Sequence, residues 1–222
     1  MSAEYIPDLY RFLDELSRNN NREWFQANKE RYDVLRELWL ADLDRMIAAM
    51  GEWEPALRHV TARDCAYRIY RDTRFSLDKT PYKTYFSALI SPTGRKCDRA
   101  CFYLHMGQDE SGLYGGIWHP TSPQLRKLRQ AIVDNIEEFE EIVSDPEMLR
   151  YFPGWWGERL KTMPKGWDRD HPQAELLRLK EYGRLCDVNR RFFATGSWPE
   201  KAADRLRLLK PLNDFLNYSL DE

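Results

Sequence analysis

The hydrophobic period of this chain changes twice, and that pattern limits the architectures open to it. Leu9, Phe12, Leu13 and Leu16 recur at i, i+3, i+4 and i+7, the spacing of one helical face, with Pro7 in the first turn. The run Asn19-Asn20-Asn21 stops that helix, and Asn21 suits the N-cap of a second one. The second helix carries Trp24, Tyr32, Leu35, Trp39, Leu43, Met46 and Met50 on one broad side and is expected to end at Gly51. Over residues 65–119 the pattern becomes short and rich in aromatics, with strands expected at 65–71, 85–91, 101–106 and 113–119. A turn is expected at Pro92-Thr93-Gly94, and Gly115-Gly116 in the return strand signals a bulge or a close backbone approach. Helical spacing returns at Ser122-Pro123 and continues through Leu125, Leu128, Ile132, Ile136 and Phe139. Further helices are expected over 172–182 and 199–218, the last kinked or divided at Pro211, after a tryptophan-rich ordered loop at 151–170. No βαβ alternation appears, so the expected class is α+β: a central, mainly antiparallel sheet over about residues 65–119, packed by N-terminal and C-terminal helices. With 222 residues and no linker or repeat, a single domain is the simplest organisation.

The segment RIYRDTRFSLDKTPYKT, residues 68–84, concentrates the charge that points to function. Arg68, Arg71, Arg74, Lys79 and Lys83 stand against only Asp72 and Asp78, with Tyr70, Phe75 and Tyr82 interleaved. Guanidinium forks match carboxylate or phosphate oxygens, and lysine adds a point charge. The expectation is therefore a site for a small anionic ligand, lined by Tyr70, Tyr82 and Trp118. The competing role is structural, with Asp72 and Asp78 neutralising arginines in a salt-bridged corner. A third alternative is a non-catalytic module for protein or nucleic acid, in which the rings serve as hot spots or stacking platforms. The near balance of 34 basic and 36 acidic residues argues against a dedicated non-specific nucleic-acid binder.

Four motifs taken together resemble the family catalogued as domain of unknown function 2461. They are NNNREWFQANKERYD (19–33), the basic segment, FYLH (102–105) with GGIWHP (115–120), and PKGWDRDHP (164–172). The resemblance runs from about Asp8 to Leu216. It implies a single-domain, mainly bacterial protein, but no activity and no catalytic residue. Leu77 is a departure, because a lysine is more usual in the family at that position.

For acid–base work the candidates are His119 or His171 with Asp72, since imidazole titrates near neutral pH. Local capping or packing is the competing role for both histidines, each of which precedes a proline. Cys101 and His105 would share a strand face, but their spacing matches no standard zinc pattern, and no metal is expected. Phosphate-cradling and nucleophile-elbow motifs are absent, and no cofactor is expected. The N-terminus lacks the basic start and apolar core of a signal peptide, and no apolar run approaches the ~20 residues of a membrane span. A cytoplasmic location with reduced cysteines is the expectation.

Overall fold

In the computed structural model, which describes residues 3–222, the first apolar stripe folds as helix α1, Ile6–Arg18. Asn21 caps α2 (Arg22–Ala27) by accepting the Trp24 N–H at 2.9 Å. The expected long second helix is two helices. Asn28 turns its side chain back onto the Trp24 carbonyl, and α3 restarts at Lys29 and runs to Trp53. Gly51 lies inside α3 and does not end it; its carbonyl accepts the Arg58 Nε–H at 3.0 Å.

The short helix α4 (Ala62–Cys65) precedes the sheet, whose strands are β1 (Tyr85–Ile90), β2 (Cys101–Gly107), β3 (Ser111–Ile117) and β4 (Tyr182–Asp187). Their order is β1-β2-β3-β4 in one antiparallel sheet, so the α+β expectation holds. Two expectations inside it are corrected. Residues 65–71 form no regular strand: Cys65 ends α4, and only Ala66 and Tyr70 make isolated bridges, to Ala88 and Tyr82. Pro81 has no N–H to give a ladder, and the Asn20 side chain occupies the main-chain groups of Tyr82. The expected helix over 172–182 shrinks to α8 (Ala174–Leu177), and the sheet gains its fourth strand well beyond residue 119. Residues 178–180 cannot stay helical because their backbone pairs with 158–160, through Leu160 N to Arg178 O at 2.7 Å and Lys180 N to Glu158 O at 3.0 Å.

Between β3 and β4 lie α5 (Ser122–Asp134), α6 (Ile136–Val143) and α7 (Pro146–Tyr151). The N-cap of α5 is Thr121, in a capping box with Gln124, one residue before the expected Ser122. After β4 come α9 (Arg190–Phe193), α10 (Trp198–Arg207) and α11 (Lys210–Asp221), with Pro211 in the first turn of α11 dividing the last helical stretch as expected. Among the described residues no helix is long and apolar enough to cross a membrane.

The chain divides into two compact units. The first comprises residues up to Lys96 with Tyr103–Leu113 and Asp187–Asp204. Its core is a column of rings: Phe25 stacks on Tyr82 at 4.0 Å, and Phe12, Tyr32, Phe86 and Trp39 continue the contacts. Asp42, only 5% exposed, is held by the Tyr5 hydroxyl at 2.8 Å, the Trp198 indole at 3.0 Å and Arg45 at 2.9 Å.

The second unit comprises Cys97–Phe102, Tyr114–Cys186 and Arg205–Glu222. Here the glycine pair does what the sequence suggested. A Cβ on Gly116, whose φ is +133°, would lie 2.2 Å from the Tyr182 carbonyl oxygen, so only glycine lets β3 and β4 approach. The buried guanidinium of Arg184 lies over Trp155 at 4.6 Å and donates to the carbonyls of Phe152 at 2.7 Å and Val143 at 3.0 Å.

Candidate functional site

The basic segment closes on itself. Arg71, with 26% of its side chain exposed, donates to the Asp78 carboxylate and the Thr80 hydroxyl, and more weakly to the Thr80 carbonyl at 3.3 Å. Asp78 also accepts the Thr80 N–H at 2.9 Å. That bond, with Arg71 behind it, holds the Asp78 carboxyl down at about 2. Arg74 grips Asp72 with two bonds, at 2.7 and 3.0 Å, and Asp72 likewise sits at about 2. Lys79 donates to the Thr73 carbonyl at 2.9 Å. Three of the five expected ligand-binding cations, Arg71, Arg74 and Lys79, are thus engaged within their own loop. The loop is stapled, yet it holds Phe75 and Leu77 fully out in solvent, at 95% and 102% exposure.

Tyr70 and Tyr82 flank the base of this loop. Tyr82 is buried against Phe25, whereas Tyr70 is exposed and meets Phe25 edge-on. With Arg22, Gln26, Arg71, Thr73 and Pro81 they line a concavity of about 350 Å³.

Lys83 and Arg68 are placed differently. Lys83 is half-buried, and its ammonium lies over the rings of Tyr67 at 4.9 Å and Tyr85 at 5.6 Å. Among the described residues no acidic side chain forms an ion pair with it. Burial lowers its pKa, and the Arg68 charge lowers it further. Arg68 is exposed, and the acid it acts on is Asp72, which Arg74 already grips. Sequence reasoning missed the rest of this face. Tyr103 and His105, two apart on β2, present a hydroxyl and an imidazole joined at 3.2 Å through Nδ1. The Tyr85 ring lies 4.3 Å from His105, and Tyr103 meets Tyr67 edge-on at 6.5 Å. Burial pushes the Tyr103 hydroxyl up to about 12 and lowers the imidazole of His105, to which the Lys83 charge also contributes. The available signal was the alternation Tyr85-Ser87 on β1 and Tyr103-His105 on β2, which puts each pair on one face of its strand.

The three acid–base candidates have local partners. Asp72 belongs to the first unit and is held by Arg74, while His119 and His171 belong to the second. His171 Nδ1 accepts the Gln173 N–H at 3.0 Å, and its ring meets Trp167 edge-on, which is a capping and packing role. His119, 73% exposed in its side chain, takes a positive φ of 49° and points Nδ1 at Glu181 Oε1, 3.6 Å away. Trp118, the remaining pocket candidate, is an exposed ring beside His119 at 4.7 Å. Glu181 is buried, and desolvation raises its pKa.

Chemically, the Lys83 face offers an ammonium with three donors and, among the described residues, no hydrogen-bond acceptor, a second cation, tyrosine hydroxyls and an imidazole whose pKa burial lowers. That set suits an anion. Comparison with curated proteins and with solved structures gives no match. The family model described as "Conserved hypothetical protein (DUF2461)" matches residues 8–215, nearly the whole chain, and the chain belongs to that family.

Proposed function

We propose that this chain is a cytoplasmic domain that binds a small phosphate- or carboxylate-bearing ligand between Lys83 and Arg68, on the face built by Tyr67, Tyr85, Tyr103 and His105. One observation carries the reading: the half-buried Lys83 ammonium has a second cation, Arg68, as its charged neighbour and, among the described residues, no ion-pair partner of its own. Burying an unpaired charge is unfavourable, and two like charges add repulsion. An anion seated between them relieves both costs and gains charge-assisted hydrogen bonds. The expected ligand set thereby contracts. Arg71, Arg74 and Lys79 shape the neighbouring loop, and Lys83 and Arg68 contact the ligand.

The test is calorimetric titration with inorganic phosphate. Lys83→Met and Arg68→Ala should each weaken binding by about tenfold or more, since a hydrogen bond to a charged group contributes roughly 1.5–3 kcal/mol. Phosphate affinity unaltered in both variants removes the proposal.

A second reading, a protein-interaction loop, is favoured by one observation. Phe75 and Leu77 are fully exposed on a loop that its own hydrogen bonds hold in shape. If that loop is the functional element, the Phe75→Ser, Leu77→Ser double variant loses function while phosphate titration is unchanged.

A further inference from the structure

We propose that the concavity beside Tyr70 is a second ligand site, separate from the Lys83 face, and that it takes a small aromatic carboxylate. The ring of the ligand lies in the corner between Tyr70 and Tyr82, and its carboxylate pairs with Arg22. The site shares no residue with the anion site proposed above, and neither depends on the other.

The concavity, of about 350 Å³, lies wholly within the first unit. Helix α2 contributes Arg22 and Gln26, and the two ends of the basic segment contribute Tyr70, Arg71, Pro81 and Tyr82. That volume is at the small end of the range for ligand pockets and suits one ring with its acid group. The walls are fixed before any ligand arrives. Tyr70 and Tyr82 form an antiparallel bridge, and the Arg71 N–H donates to the Pro81 carbonyl at 2.9 Å. The Arg71 guanidinium is held by Asp78 and Thr80, and Lys79 is bonded to the Thr73 carbonyl. The loop therefore cannot fall into the concavity without breaking these bonds. Walls that are already ordered lower the entropic cost of binding.

The lining sets the class of ligand. The ring centroids of Tyr70 and Tyr82 are 5.4 Å apart and their planes meet at 54°, with Phe25 stacked on Tyr82 at 4.0 Å. Tyr82 is buried, whereas Tyr70 keeps 45% of its surface exposed. Two rings at that angle form a corner. A third ring can lie offset on one face and edge-on to the other, the arrangements that aromatic rings prefer. The charged groups fix the rest. Two arginines line the concavity and no acid does. Arg71 is neutralised by Asp78, whereas Arg22, among the described residues, forms no ion pair. One uncompensated positive charge matches a monoanion, and the planar guanidinium fork fits a carboxylate through two parallel hydrogen bonds. A phosphate monoester, close to dianionic at neutral pH, would leave negative charge unmatched. Gln26 and Thr73 add neutral polar groups for a substituent on the ring.

The probe is benzoate, titrated into the full chain carrying ring-labelled tyrosine and followed by NMR. The expected result is a saturable shift of the Tyr70 and Tyr82 signals. Cyclohexanecarboxylate, which has the same charge and no aromatic ring, should bind several-fold more weakly. Arg22 and Tyr70 are both exposed, so their variants should fold. Arg22→Gln should weaken benzoate about tenfold, as loss of a charged hydrogen bond does, and Tyr70→Ala several-fold. Benzoate that shifts no tyrosine signal overturns the proposal, as does an affinity equal to that of cyclohexanecarboxylate or unaltered in both variants. Shifts confined to Tyr67, Tyr85 and Tyr103 put the carboxylate on the Lys83 face, which overturns this site and supports the other. Phosphate titrated into the same sample reads the Lys83 site separately, and phosphate binding without benzoate binding leaves that site standing alone.

Discussion

The side chain of Asn20 closes both main-chain hydrogen bonds of Tyr82, donating from Nδ2 to its carbonyl at 2.9 Å and accepting its N–H on Oδ1 at 3.1 Å. The amide thus takes the place of a neighbouring strand at the point where the chain leaves the basic loop for Lys83. Asn20→Leu should strand both groups beside a buried ring. The expected cost is about 1–3 kcal/mol, the penalty for burying unsatisfied polar groups. Urea unfolding measures it, and phosphate affinity should fall as well, because Lys83 follows Tyr82 directly.

Gly116 and Gly166 provide a matched pair. Both have positive φ, but a Cβ at Gly116 would strike the Tyr182 carbonyl oxygen, whereas at Gly166 nothing lies within 4 Å. Gly166→Ala should therefore cost only the left-handed penalty, about 1–2 kcal/mol. Gly116→Ala should cost more than about 4 kcal/mol or prevent folding, since the β3–β4 contact must open. Equal melting temperatures for the two variants would contradict the close approach.

The two arginine pairs of the basic loop should separate on mutation. Arg74 and Asp72 are exposed, so Arg74→Ala should leave the melting temperature unchanged within error. Arg71 ties Asp78 and Thr80 together, and Arg71→Ala should lower melting by several degrees. The Asp78 contribution has a defined pH window. Its folded pKa, about 2, lies below the ordinary 3.8, so its stabilisation is complete above that value and is lost as pH falls from about 4 to 2. Asp78→Asn should remove this part of the acid sensitivity, seen as a shallower fall in melting temperature over that interval.

Lys83 should show the opposite sign. Its folded pKa is below the ordinary 10.5, so the unfolded chain binds its proton more readily, and stability is lost as pH falls below that value. Lys83→Met should melt higher than the parent at pH 7, with the gap closing as pH rises towards 10.5, while phosphate binding is lost. Gaining stability while losing binding is the behaviour of a site residue and would not arise from a structural one.

The sequence was most legible where structure is set locally. The stripe of α1, the Asn21 cap, strands β1 to β3 and the break at Pro211 follow from periodicity and terminus chemistry within a few residues. Strand β4 was hidden because its identity comes from its neighbour. Gly183 makes room for the Tyr114 hydroxyl, and Tyr182 meets Gly116, contacts that no local pattern announces. The same distinction divides the candidate site. The basic residues stood out in one run, and the carboxylates two and seven residues from Arg74 and Arg71 are what engage those arginines. Tyr67, Tyr85, Tyr103 and His105 converge on Lys83 only through the pairing of β1 with β2 and the isolated bridges beside them. Register of that kind is a tertiary property.

The most direct test of the central claim is an NMR titration of Lys83 in protein carrying 13Cε-labelled lysine, with and without phosphate. Lys83 is expected to titrate below the other lysines in the free protein, and phosphate is expected to raise its pKa. A Lys83 that titrates with the surface lysines and does not respond to phosphate would contradict it.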